Sequence, residues 1–135
     1  MIKTLMLIDD EKVDHMLYQR IIKRSGLVET LLPFYAADTA LDYISSPDCP
    51  EIDAITLDIN MPRMNGFEFL EEVERMKADR LIKCVIVMLT TSLDPADEQK
   101  AQANQLVKEF LYKPLMEDHL MRIDKYINSG GQAAF

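Results

Sequence analysis

Cysteine is scarce in this chain: Cys49 and Cys84 are the two in 135 residues, and no CxxC spacing joins them. A disulfide framework and a thiolate metal cluster are therefore not expected. Cys84 opens the apolar run Cys84 to Leu89 and reads as a small core residue, while Cys49 lies in the loop Pro47-Asp48-Cys49-Pro50. Both are expected to be reduced thiols in a cytoplasmic protein. A basic stripe is missing too. Fifteen Lys and Arg against 23 Asp and Glu leave a formal net charge of −8. This argues against a nucleic-acid surface but leaves a metal cation or a basic partner open. No apolar run approaches the roughly 20 residues of a membrane span. The start, Met1-Ile2-Lys3-Thr4-Leu5, passes straight into a strand pattern and is too soon interrupted by acids to read as a signal peptide. Internal repeats and low-complexity tracts are absent. The length suits one domain with one core. The expected division is a domain over 1–128 and a tail over 129–135, small and flexible in composition.

What is present is an alternation of strand and helix signals. Leu5 to Ile8 is a continuous apolar run, as for a strand covered on both faces, and it stops at Asp9-Asp10-Glu11. The next segment spaces Val13, Met16, Leu17 and Ile21 on one helical face, with Gly26 at its end. Asp9 or Asp10 could cap that helix. Leu31 to Ala36 is a weaker strand, and Pro33 inside it points to a sheet edge or a start just past the proline. Asp38 to Ser46 reads as a short helix carrying Leu41 and Ile44. Ala54 to Leu57 is a buried strand stopping at Asp58, followed by Pro62 and the turn pair Asn65-Gly66. Phe67, Leu70, Val73 and Met76 then recur at helical spacing. Cys84 to Leu89 is the strongest strand signal and ends at Thr90-Thr91-Ser92. Asp94-Pro95 opens a polar helix to about Asn104. Phe110 to Tyr112 reads as a last strand closed by Lys113-Pro114, and Leu115, Leu120, Ile123 and Ile127 mark the last helix.

Five strand–helix units imply an α/β fold with a parallel sheet and helices on both faces. In such a sheet every strand's carboxyl end lies along one edge. That gathers Asp9, Asp10, Glu11, Asp58, Thr90 and Lys113 into one neighbourhood. A lone Asp58 would most simply be a solvated or capping strand-end acid. Several carboxylates together repel one another, and a hard divalent cation relieves the conflict. Asp10 and Asp58 suit direct Mg²⁺ ligation, Asp9 a contact through water, and a backbone carbonyl near Asn60 could add a third oxygen. Lys113 and Thr90 offer a cation and a hydroxyl to a phosphoryl group. Asp58 is the natural nucleophile, because carboxylates form acyl phosphates. His15 and His119 read as solvated helix-surface residues, and the scattered methionines as gap fillers.

The chain resembles the receiver domain of two-component response regulators, in the stand-alone chemotaxis-regulator style. The matching residues are Asp9-Asp10, the run Asp58-Ile59-Asn60-Met61-Pro62 with Gly66, Leu89-Thr90-Thr91-Ser92, and Lys113-Pro114, over roughly residues 3 to 128. The resemblance implies a flavodoxin-like doubly wound (βα)5 sheet of strand order 2-1-3-4-5. It implies that Asp58 accepts a phosphoryl group from a sensor histidine kinase or a histidine phosphotransfer domain. It further implies Mg²⁺ on Asp10, Asp58 and the Asn60 carbonyl with help from Asp9. Thr90 would be the switch hydroxyl, Lys113 a phosphoryl contact, and Phe110 the switch aromatic. The result would be a signalling switch, with self-phosphorylation and autodephosphorylation chemistry rather than turnover. An unidentified downstream protein would be met through the surface from about Ala96 to Ile127. One departure is the segment Gln105 to Glu109, which lacks the Gly-Ala pair many receivers carry before the last strand.

Two other classes fit the same sheet less well. A phosphatase with an Asp nucleophile needs a second acid two residues on, where this chain has Asn60. A flavin or dinucleotide module needs a phosphate-cradling first turn rich in Gly, Ser or Thr, where this chain has Asp9-Asp10-Glu11.

Overall fold

The computed structural model describes residues 1–77, 79–81 and 83–129. The strands are β1 (Ile2–Ile8), β2 (Val28–Phe34), β3 (Ala54–Leu57), β4 (Val85–Thr90) and β5 (Val107–Tyr112). The helices are α1 (Lys12–Ser25), α2 (Ala37–Ile44), α3 (Gly66–Met76), α4 (Pro95–Ala103) and α5 (Glu117–Asn128). Every neighbouring strand pair is parallel, in the order β2-β1-β3-β4-β5. The parallel α/β sheet is the one that the alternation of signals implies, and its strand order is the flavodoxin-like one that the resemblance implies. The expected tail falls mostly on residues 130–135, which lie outside the described residues.

The period of two along each strand divides the core into two layers. Met6, Ile8, Ile55, Leu57, Ile86 and Met88 pack with Ala40, Ile44, Phe67, Leu70 and Val73 of α2 and α3. Leu5, Leu7, Ala54, Val87, Leu89 and Leu111 face Tyr18 and Ile22 of α1 and Leu120 and Ile123 of α5. Thus β1 and β3 are apolar on both sides and sit in the middle. Pro33 lies in β2, the sheet edge, where a missing N–H breaks no outer ladder.

The apolar spacing on α1 proves misleading. Val13, Met16 and Leu17 are exposed, and the buried stripe is His15, Tyr18 and Ile22. His15 is 1 % exposed rather than solvated. Its Nε2 lies 2.7 Å from the Asp9 carbonyl and 2.9 Å from the Phe34 carbonyl, so that nitrogen carries the proton. The imidazole also packs on Tyr35, ring centroids 4.0 Å apart. A polar side chain wins the core position because it ties the ends of β1 and β2 together. His119 is half-buried and accepts the Met116 backbone N–H through Nδ1 at 3.0 Å, at the start of α5.

Neither Asp9 nor Asp10 caps α1 directly. Glu11 holds the cap position without a side-chain bond, and Asp9 Oδ1 accepts the Glu11 N–H at 2.9 Å. Helix α3 starts on a full capping box, Asn65 with Glu68, each bond 2.9 Å. Before β5, where no Gly-Ala pair exists, Asn104 Oδ1 accepts the Leu106 N–H at 2.9 Å, and this Asx turn directs the chain into the strand. Both cysteines are free. Among the described residues no helix is long and apolar enough to cross a membrane.

Candidate functional site

The site forms where backbone hydrogen bonding continues past the strands. Asp9 N–H donates to the Phe34 carbonyl at 3.1 Å, Asp58 N–H to that of Ile8 at 3.0 Å, and Lys113 N–H to that of Thr90 at 2.9 Å. Each functional residue therefore stands on backbone fixed by the neighbouring strand. Asp9 and Asp58 are 2 % and 6 % exposed, and Asp10 is half-buried. One carboxylate oxygen from each of the three lies within 4.8 Å of the others. The loop after β3 is held from two sides. Gly66 N–H donates to the Ile59 carbonyl at 2.8 Å, and Arg63 (φ 68°) makes a two-pronged bond to Asp38 at 3.0 and 3.1 Å.

Lys113 enters this acidic edge with a side chain only 8 % exposed. Its Nζ lies 2.8 Å from Asp9 Oδ2, 2.8 Å from Asp14 Oδ2 and 3.7 Å from Asp58 Oδ2. Burial alone would lower its pKa, but the bonds to Asp14 and Asp9 and the charge of Asp58 carry it above the usual lysine range. Asp58 goes the other way for an acid. Burial pushes its carboxyl up to about 6, against the pull of Lys113 and with a further push from Asp9 and Asp10.

The oxygens differ in what they have left to offer. Asp9 is engaged at both, by Lys113 and by the Glu11 N–H. Asp10 Oδ1 is buried with no hydrogen-bond partner among the described residues. A buried carboxylate oxygen without a donor is costly unless something positive completes it. Set beside Asp58 in an all-oxygen cluster, it fits a hard divalent cation.

The remaining expected residues are placed unequally. Asn60 is exposed and lines a groove of about 310 Å³ with Glu11, Asp14, Asp58, Thr91 and Lys113. Thr90 is fully buried at the end of β4 and is not among the groove's lining residues; its hydroxyl accepts the Ser92 N–H at 3.0 Å. Ser92 in turn donates to Asp97 of α4 at 2.6 Å. Phe110 stands apart, half-buried beside a cavity of about 190 Å³ between α4 and β5, edge-on to Tyr112 at 5.6 Å. Two residues went unseen in the sequence. Asp14 lies in the first turn of α1, and its partner Lys113 is 99 residues away, so no local spacing marks it. His15 gave no signal, because its partners are carbonyls of two different strands.

Comparison with known proteins agrees with this geometry. The response regulator receiver domain family matches residues 5–124. The probable methanogenesis regulatory protein FilR2 of Methanothrix harundinacea is 29% identical over 123 residues, covering 87% of this chain and 76% of that one. Some curated relatives are much longer, and the match spans 15% of the next two. A two-component response regulator from Cytophaga hutchinsonii has a similar structure, with TM-score 0.84 and 27% identity over 95% of this chain and 98% of that one. The Mn²⁺-bound form of response regulator Rcp1 superposes with TM-score 0.72 and 25% identity, over 92% and 91%. With the strand order, the acidic edge and a family match across nearly its whole length, this chain belongs to the response regulator receiver domain family.

Proposed function

We propose that Asp58 accepts a phosphoryl group from the phosphohistidine of a sensor kinase or a histidine phosphotransfer domain, and that the modification changes a partner-binding surface. The observation that carries this is the acid at the groove: Asp58 is buried, lines the groove, and has Asp9, Asp10 and Lys113 around it without a close ion pair of its own. An Asp58 oxygen attacks phosphorus, an O–P bond forms, the P–N bond breaks, and its electron pair returns to the donor imidazole. Lys113, held at fixed distance, balances charge on the phosphoryl oxygens as they approach.

Asp10 and Asp58 are the proposed direct ligands of Mg²⁺, with Asp9 acting through water and the Asn60 carbonyl as a further oxygen. When bound, the cation supplies positive charge opposite the phosphoryl oxygens. The orphaned Asp10 oxygen supports this assignment, and Rcp1 is a relative with a divalent cation bound. Hydrolysis of the acyl phosphate would reset the switch, and Asn60 supplies no acid or base at the rim to hasten it.

The readout would run through Thr90 and Phe110. While it accepts the Ser92 N–H, the Thr90 hydroxyl keeps its own O–H to donate to a phosphoryl oxygen, and Ser92 Oγ in turn ties the β4–α4 loop to Asp97. Phe110 lines the cavity of about 190 Å³ between α4 and β5, and its ring would turn as the switch aromatic. The face of α4, β5 and α5 is then the surface offered to a downstream protein.

The test is incubation of the purified protein with acetyl phosphate and Mg²⁺. One phosphoryl mass should appear on the wild type and none on Asp58→Asn. A folded wild type that stays unmodified would falsify the reading.

A further inference from the structure

We propose that Asp14 is a positioning residue for phosphoryl transfer: with Asp9 it holds the Lys113 ammonium off Asp58, which keeps the nucleophile free and leaves one N–H of the ammonium for the incoming phosphoryl group. This rests on the reading of Asp58 as the acceptor. The geometry is a competition among carboxylates for one cation. Lys113 Nζ is at hydrogen-bond distance from two of them, Asp9 Oδ2 and Asp14 Oδ2, both 2.8 Å, and beyond it from the third, Asp58 Oδ2, at 3.7 Å.

An ammonium has three N–H donors in a tetrahedral fan. Two are committed to Asp9 and Asp14, which come from opposite ends of the β1–α1 turn. The pair fixes both the position of Nζ and the direction of the remaining donor. Asp14 stands in the first turn of α1 and lines the same groove as Asp58, so its hold on Lys113 acts at the mouth of the site.

Without Asp14, the ammonium has one close carboxylate, and Asp58 is the next nearest carboxylate. A 3.7 Å contact shortening to a direct ion pair would occupy the oxygen that must attack phosphorus. It would also leave the cation loose on its flexible stem. A decorative surface pair would have little consequence. This pair differs, because the Lys113 side chain is 8 % exposed while that of Asp14 is 26 % exposed, so the cation is buried and depends on its partners.

The experiment measures initial phosphorylation rates of the full chain with acetyl phosphate and saturating Mg²⁺, followed by intact mass. The proteins are wild type, Asp14→Ala, Asp14→Asn, Asp14→Glu, Lys113→Ala and the double variant Asp14→Ala/Lys113→Ala. Asp14→Ala should slow the reaction roughly tenfold, the scale of one charge-assisted hydrogen bond. Asp14→Asn, isosteric and without charge, should also be slow, and Asp14→Glu should recover part of the rate. In the Lys113→Ala background, removal of Asp14 should change nothing further, because the effect passes through the lysine. Urea midpoints of the Asp14 variants in EDTA identify any loss of folding, and Asp14→Asn replaces Asp14→Ala if the latter is unfolded at assay temperature. A wild-type rate in the Asp14 variants overturns the inference while leaving Asp58 as acceptor. An equal slowing with and without Lys113 overturns it as well. A wild type that takes no phosphoryl group overturns both readings.

Discussion

At the scale of single residues, Asp58 carries the sharpest physical conflict in the molecule. Burial raises its pKa from the ordinary carboxylate value of 3.8 to about 6. In the window between those values the folded protein holds a proton that the unfolded chain has lost. The contribution of Asp58 to stability in the metal-free protein therefore falls as pH rises from about 4 through about 6, and stays level above. Asp58→Asn has no such proton. Its stability advantage over the wild type in EDTA should grow by up to ~3 kcal/mol between pH 4 and pH 7, read from urea midpoints, because each pKa unit is worth about 1.4 kcal/mol. A pH-independent difference would mean that Asp58 does not bear the burial penalty. The acids of this site were legible in the sequence, since Asp9, Asp10 and Asp58 each terminate an apolar run and the sheet geometry gathers such ends. Asp14 and His15 were not. Their roles depend on Lys113, 99 residues away from Asp14, and on the carbonyl of Phe34, contacts that no local spacing encodes.

At the scale of elements, the junction of β3 and α3 shows how tightly one helix start is fitted to the site. A Cβ on Gly66 would meet the Asp58 carbonyl oxygen at 2.5 Å, with Ile59 Cα and Met88 Cε each at 3.1 Å. Two effects oppose each other in Gly66→Ala. Alanine is the better helix former by about 1 kcal/mol. Overpacking against backbone costs about 1–3 kcal/mol, and here the nearest atom is the backbone carbonyl of Asp58 itself. The clash should win, so Gly66→Ala should lower the urea midpoint, and a raised midpoint would show that the loop yields freely. The same contest between pattern and contact explains why α1 was read on the wrong face. Val13, Met16, Leu17 and Ile21 form an acceptable helical stripe, but Tyr18 and Ile22 lie on the side that reaches Leu120 and Ile123, with His15 joined to two strand ends. Where side chains left no such ambiguity, as on α3 with Phe67, Leu70 and Val73, spacing and burial agree. The β2 edge was legible for a simpler reason: Pro33 cannot serve two ladders.

At the scale of the whole molecule, a formal charge of −8 is gathered in part at the carboxyl edge of the sheet, where one buried lysine cannot balance Asp9, Asp10, Asp14 and Asp58. The fold accepts this arrangement because two hydrophobic layers and a continuous parallel ladder hold the strand ends regardless of their repulsion. A cation that binds only the folded edge should therefore add stability by mass action. At one hundred times its dissociation constant the gain is about 2.7 kcal/mol. For a chain of this size that corresponds to a rise in melting temperature of roughly 8 °C. Na⁺ at equal ionic strength should do much less, since screening acts on exposed charges while Asp9 and Asp58 are buried. Asp10→Asn is the discriminating variant. It removes the carboxylate whose oxygen lacks a donor and leaves the Lys113 bonds to Asp9 and Asp14 in place. The magnesium-dependent rise should largely vanish in that variant, while its melting temperature in EDTA stays close to that of the wild type or above it. A full magnesium response in Asp10→Asn would place the cation elsewhere on the acidic surface, and the orphaned oxygen would then need another explanation.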